Sequence, residues 1–94
     1  MTKKKWITEL TPKAQKDLRK LDRKAQGRIF DFFNRLVTQY EGPREVGIPL
    51  SGTRNDLWRY RVGDYRVICE ILDHKVIVLV LEIGHRRDIY DFLH

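Results

Sequence analysis

Three arginines fall within eight residues in RYRVGDYR, Arg59 to Arg66, and two more, Arg86 and Arg87, accompany His85 and Tyr90 in HRRDIYDFLH near the end of the chain. Guanidiniums donate paired, rigidly oriented hydrogen bonds to phosphate oxygens and stabilise the charge that grows in a pentacovalent transition state. An RNA strand carries its own nucleophile, the 2′-OH, so cutting it requires orientation, a proton acceptor and a proton donor, and no metal. Arginines beside a phenol and an imidazole are the residue types for that chemistry. The plain alternative is a solvated basic face on a hairpin, followed by a basic tail whose Tyr90 packs back on the core.

What would hold these side chains together is a sheet. Gly63-Asp64 reads as the turn of a hairpin, with strands Leu57 to Val62 and Tyr65 to Leu72. Alternation puts Arg59 and Arg61 on one face and Trp58, Tyr60 and Val62 on the other. A two-residue turn sets Val62 opposite Tyr65 and Arg61 opposite Arg66, so all three arginines point the same way. Like charges facing each other across a sheet are unfavourable. Glu70, on the same face, supplies one carboxylate against three guanidiniums, which leaves room for an anionic ligand.

The remaining elements follow from spacing. Trp6 to Leu10 suits a first strand, and Thr11-Pro12 starts a helix with a capping hydroxyl and a proline in the first turn. Ala14, Leu18 and Leu21 mark its buried side. Asp22 caps a second helix with an apolar stripe of Ala25, Ile29, Phe32, Phe33, Leu36, Val37 and Tyr40; Gly27 would allow it to approach the first closely. Glu41 to Asp56, rich in Gly, Pro, Ser and Asn, reads as a loop. Beyond the hairpin, an Asp73-His74 turn leads into a strand Lys75 to Ile83. A two-residue turn there would send Val76, Val78 and Val80 to the core and Ile77, Leu79 and Leu81 to the arginine side. Asp88 to Leu93 suits a short terminal helix. The expected fold is α+β: an N-terminal strand, an antiparallel helical hairpin, and an antiparallel three-strand segment forming a small sheet covered by the helices, with a short C-terminal helix or tail.

With 94 residues and 41% apolar content, residues 1–94 read as a single domain. The formal charge of +6 favours a polyanionic partner: nucleic acid, an anionic membrane or an acidic protein. Cys69, the one cysteine, falls on the core face and reads as a buried thiol. Val76 to Leu81 is too short to span a bilayer, and no signal peptide is evident, so a soluble, cytoplasmic protein is expected. The scattered histidines make no metal site, and Ser51 has no evident base for hydrolase chemistry. The glycines do not form a P-loop. No cofactor is expected.

The segments LSG near Leu50, LWRYRVGDYRVICEILDHKVIVLVLEIG and HRRDIY, in this order and spacing, resemble the RelE toxins of bacterial and archaeal toxin–antitoxin pairs, within the wider RelE/ParE superfamily. The resemblance spans almost the whole chain. It implies an endoribonuclease, an mRNA interferase that enters the ribosomal A site and cuts translated mRNA, leaving a 2′,3′-cyclic phosphate and a 5′-hydroxyl. It implies a neighbouring antitoxin as inhibitor, with operator DNA bound only by the toxin–antitoxin complex, and no membrane partner. On this likeness Arg66 and Arg86 hold the scissile phosphate, Arg61 assists, and Arg59 and Arg87 contact substrate more peripherally. Tyr90 orients or deprotonates the 2′-hydroxyl, and His85 is the acid candidate. The chain departs from the family's best-known pattern in carrying arginine at 59 and 61 and histidine at 85, where that pattern has lysines. An arginine stays protonated and cannot act as a base. Other branches use a glutamate and a C-terminal histidine, for which Glu45 and His94 are the available pair. Two further functions fit the same features: a ParE-like inhibitor of DNA gyrase that leaves RNA intact, and a non-catalytic RNA- or ribosome-binding module.

Overall fold

Thr11 and Asp22 decide where the helices begin. The computed structural model describes residues 5–50 and 56–86. In it the first strand, β1 (Ile7–Leu10), ends at Thr11, whose hydroxyl accepts the Ala14 N–H at 3.1 Å and opens α1 (Pro12–Arg19). The Asp22 carboxylate accepts the Ala25 N–H at 2.8 Å and opens α2 (Arg23–Thr38). Each cap satisfies a helix-end donor and stabilises by about 1 kcal/mol. Both expected apolar stripes face inward: Ala14, Leu18, Ile29, Phe32, Phe33 and Leu36 join the core. Gly27 is exposed, and no atom lies within 4 Å of where its Cβ would sit, so it mediates no close helix approach.

Among the described residues the sheet has five strands, in the order β1, β5 (Ile77–His85), β4 (Tyr65–Leu72), β3 (Leu57–Val62) and β2 (Ile48–Pro49). Its hairpin, β3 (Leu57–Val62) and β4 (Tyr65–Leu72), has the register expected from the sequence, with Arg61 opposite Arg66 and Val62 opposite Tyr65. Strand β5 (Ile77–His85) lies antiparallel to β4 and parallel to β1. The segment expected to be loop throughout contains a two-residue edge strand, β2 (Ile48–Pro49), paired with Arg59 and Trp58 of β3. Gly47 makes this pairing possible. At φ 79° it adopts a backbone that side chains disfavour, and a Cβ there would lie 2.6 Å from the Arg59 carbonyl oxygen. Trp58 Nε1 donates to the Val46 carbonyl at 2.8 Å, and the buried Tyr60 hydroxyl donates to the Pro43 carbonyl.

The second turn differs from expectation. Leu72 pairs with Ile77, so four residues, 73–76, make the connection: Asp73–Lys75 form a 3₁₀ turn and Val76 closes it at φ 56°. A β-branched residue in the left-handed region is rare, which is why the sequence suggests a shorter turn. Val78 and Val80 still enter the core. The pairing then slips: Cys69 faces Val80 but Ile68 faces Glu82, leaving Leu81 as an extra residue in β5. Where β5 outruns β1, the start of α1 takes its backbone groups. Thr11 N–H donates to the Val80 carbonyl at 3.0 Å, the Thr11 hydroxyl to the Leu81 carbonyl at 3.3 Å, and the Ile83 N–H donates to the Asp17 carboxylate at 3.1 Å.

Candidate functional site

Gly63 at φ 60°, followed by Asp64 outside the positive-φ region, gives the β3–β4 turn the type II′ form that suits strand twist. Val62 and Tyr65 then close the hairpin, and Arg61 and Arg66 form the next pair, the closely spaced kind in an antiparallel ladder, with Cα atoms about 4.5 Å apart. Arg61 is exposed, and its Nε donates to the Gly63 carbonyl at 3.4 Å. Arg66 is half-buried and its Nη1 donates to the Tyr65 carbonyl at 3.3 Å. Arg59 sits between Ile48 and Ile68 in the register, farther from the turn. Buried Leu50 and Ile68, flanked by Leu57 and Leu81, form a separate apolar cluster on this side of the sheet.

The slip in β5 determines what joins the arginines. One extra residue inverts the alternation beyond it. Ile83 therefore faces Val67 in the core, Gly84 lies opposite Arg66, and His85 lies opposite Tyr65. The Arg86 N–H donates to the Asp64 carbonyl at 2.9 Å, which ties the exposed Arg86 to the hairpin turn beside Arg61 and Arg66. His85 does not join them. Its ring stands edge-on to Tyr65 with centroids 6.0 Å apart, on the helix-facing side, in a cleft shared with Lys13 and Asp17 of α1.

Glu45 is also elsewhere. Its carboxylate accepts the backbone N–H groups of Glu41 and Gly42, bracing the loop after α2 in a cavity with Trp6, Arg44 and Asp73. Arg44 pairs with Asp73 through contacts of 2.9 and 3.0 Å. Burial pushes the Cys69 thiol well above its ordinary range, and burial followed by the nearby Cys69 does the same for the Tyr60 hydroxyl. Both stay neutral and belong to the core. Arg87, Tyr90, His94 and Ser51, with the expected terminal helix, lie outside the described residues. Arg28 and Arg35 carry no motif that marks them in the sequence, yet the fold brings them to Arg61 in a groove of about 580 Å³ between α2 and the hairpin. Their seven-residue spacing, two helical turns, is the signal that relates them.

A helical hairpin on one face of a mixed sheet, with a basic cluster at the β3–β4 turn, defines a small α+β protein suited to a polyanion. A family profile for the ParE toxin of the type II toxin–antitoxin system parDE matches residues 8–90. Toxin RelG of Mycobacterium tuberculosis is 31% identical over 86 residues, 90% of this chain and 95% of the relative. The toxin–antitoxin complex RelBE2 from the same organism contains a chain that superposes with a TM-score of 0.75 at 29% identity, over 86% of this chain and 91% of that one. A chain of the Escherichia coli RelBE toxin–antitoxin complex superposes with a TM-score of 0.72 at 23% identity, over 85% of this chain and 95% of that one, and shares the fold. The chain belongs to the RelE/ParE superfamily of toxins from toxin–antitoxin pairs.

Proposed function

We propose that this toxin is a ribosome-dependent mRNA endonuclease, in which residues 1–94 act as one domain. The observation that carries the reading is the convergence of Arg61, Arg66 and Arg86 at one hairpin end, across a directly opposed pair and a 2.9 Å backbone contact. A sheet that sets like charges face to face is poised for an anion. Arg66 and Arg86 hold the scissile phosphate and stabilise charge developing on it, Arg61 assists, and Arg59 and Arg87 meet the flanking backbone. The 2′-oxygen attacks phosphorus and the 5′-oxygen leaves, which gives a 2′,3′-cyclic phosphate and a 5′-hydroxyl. With His85 on the helix-facing side, Tyr90 orients or deprotonates the 2′-hydroxyl, and the departing 5′-oxygen takes its proton from solvent.

A cognate antitoxin restrains the activity, and operator DNA is bound only by their complex. The resemblance to chains in toxin–antitoxin complexes supports this partner. No helix among the described residues is long and apolar enough to cross a membrane, and an activity on ribosomes places the protein in the cytoplasm. A second reading, inhibition of DNA gyrase without RNA cleavage, draws on the match to the ParE profile.

Expression should stop protein synthesis, and primer extension on translated messages should show discrete cuts that disappear in Arg86→Ala. Purified gyrase should keep its supercoiling activity in a large excess of toxin. Intact messages together with lost supercoiling would establish the second reading instead.

A further inference from the structure

The groove between α2 and the hairpin has features that the cleavage face does not use. Arg28 and Arg35 line it with Arg61, over a floor that includes Phe32 and Gly63. Elsewhere Lys13 pairs with Asp17 and Glu82, and Arg44 with Asp73. Asp31 lies in the groove, yet among the described residues neither Arg28 nor Arg35 has an ion-pair partner. Three guanidiniums and one carboxylate leave the groove positive. On a helix rising about 1.5 Å per residue, Arg28 and Arg35 lie on one face with their Cα atoms about 10 Å apart, so with Arg61 the positive charge runs along the groove. The ligand that matches is a chain of anions.

Arg61 connects this groove to the cleavage face. It lies opposite Arg66 in the sheet and also lines the groove beside α2. Pairing of β2 with β3 reaches Arg59 and no farther, so among the described residues no strand covers the edge at Arg61. Phe32 and Val62, the apolar residues of the groove, are buried. An acidic peptide that orders on binding needs exposed apolar anchors, whereas a phosphate backbone needs forked, unneutralised donors.

We propose that Arg28 and Arg35, continuing from Arg61, form a second phosphodiester-backbone site that holds RNA away from the point of cleavage. The proposal rests on the nuclease reading for its place in function, but binding tests it separately. The probes are a fluorescein-labelled poly(U) RNA, standing for a message, and vacant ribosomes, presenting ribosomal RNA. The double variant Arg28→Gln, Arg35→Gln keeps helix-forming side chains and should unfold at the wild-type temperature. On poly(U) its log K against log salt should be shallower by about 1.4, from two lost contacts at about 0.7 each for single strands. Lysine at both positions should restore the slope. Cleavage at saturating programmed ribosomes should stay at the wild-type rate. Weakened binding to poly(U) assigns the site to message, and weakened binding to ribosomes alone assigns it to ribosomal RNA. Unchanged affinity and slope with both probes overturns the proposal, including when affinity for an acidic antitoxin peptide falls instead. If the slope changes while the wild type leaves messages uncut, the site stands and the nuclease reading fails.

Discussion

Arg66 and Val67 are neighbours on opposite faces of β4. Val67 is 0% exposed, in the core between Tyr60 and Ile83, and Arg66 is turned to the other face beside Arg61 and Gly84. Arg66→Ala should lower single-turnover cleavage by about 10² or more, the scale of one lost transition-state contact, while changing stability by less than about 1 kcal/mol. Val67→Ala should cost about 1–3 kcal/mol by opening a cavity and leave the phosphate contacts in place. Thermal unfolding and single-turnover cleavage of both variants check the assignment. An Arg66→Ala protein that unfolds beside a Val67→Ala protein of unchanged stability would reverse the faces. This phase was legible because alternation and a two-residue turn determine it from RYRVGDYR alone. The placement of His85 was not, since it depends on one extra residue, Leu81, about which local pattern is silent.

At the scale of elements, the arginine cluster depends on α1 as well as on the hairpin. Asp17 accepts the Ile83 N–H and pairs with Lys13, which also contacts Glu82, so the end of β5 that delivers Gly84 and Arg86 is fastened to the helix. Asp17→Ala should cost about 1–3 kcal/mol through the partnerless N–H. It should also lower cleavage more than an equally destabilising core variant such as Val67→Ala, because it releases the strand that carries Arg86. Hydrogen exchange at Ile83, compared with global unfolding, tests this; unchanged protection there would show that α1 does not hold β5. Thr11 and Asp22 announced both helices in the sequence, as capping residues ahead of apolar stripes. By contrast β2 was hidden within a Gly- and Pro-rich segment, because two residues show no alternation and the strand exists through the fit of Gly47 against β3. The turn at Val76 was hidden too, since its backbone goes against the residue's own preference.

For the whole molecule, the burial of a phenol and a thiol bears on stability at alkaline pH, and the charge of +6 favours a polyanionic partner. Burial raises the Tyr60 hydroxyl above its ordinary 10.0 and the Cys69 thiol above 9.0. The fold thus favours their neutral forms. That contribution is complete below the unfolded-state values and is lost as pH rises through them toward the folded ones, at about 1.36 kcal/mol per unit for each group. Unfolding temperature should fall above about pH 9, and Tyr60→Phe should make the fall above pH 10 shallower; an unchanged slope would remove Tyr60 from the cause. In the neutral range both groups stay protonated, and the proposed cleavage rests on the arginine face. Purified toxin mixed with programmed ribosomes in a single turnover, with the RNA ends then identified, tests it most directly. A 2′,3′-cyclic phosphate and a 5′-hydroxyl should appear at discrete positions and be lost in Arg66→Ala while ribosome binding persists. Messages that remain intact on ribosomes saturated with wild-type toxin would contradict it.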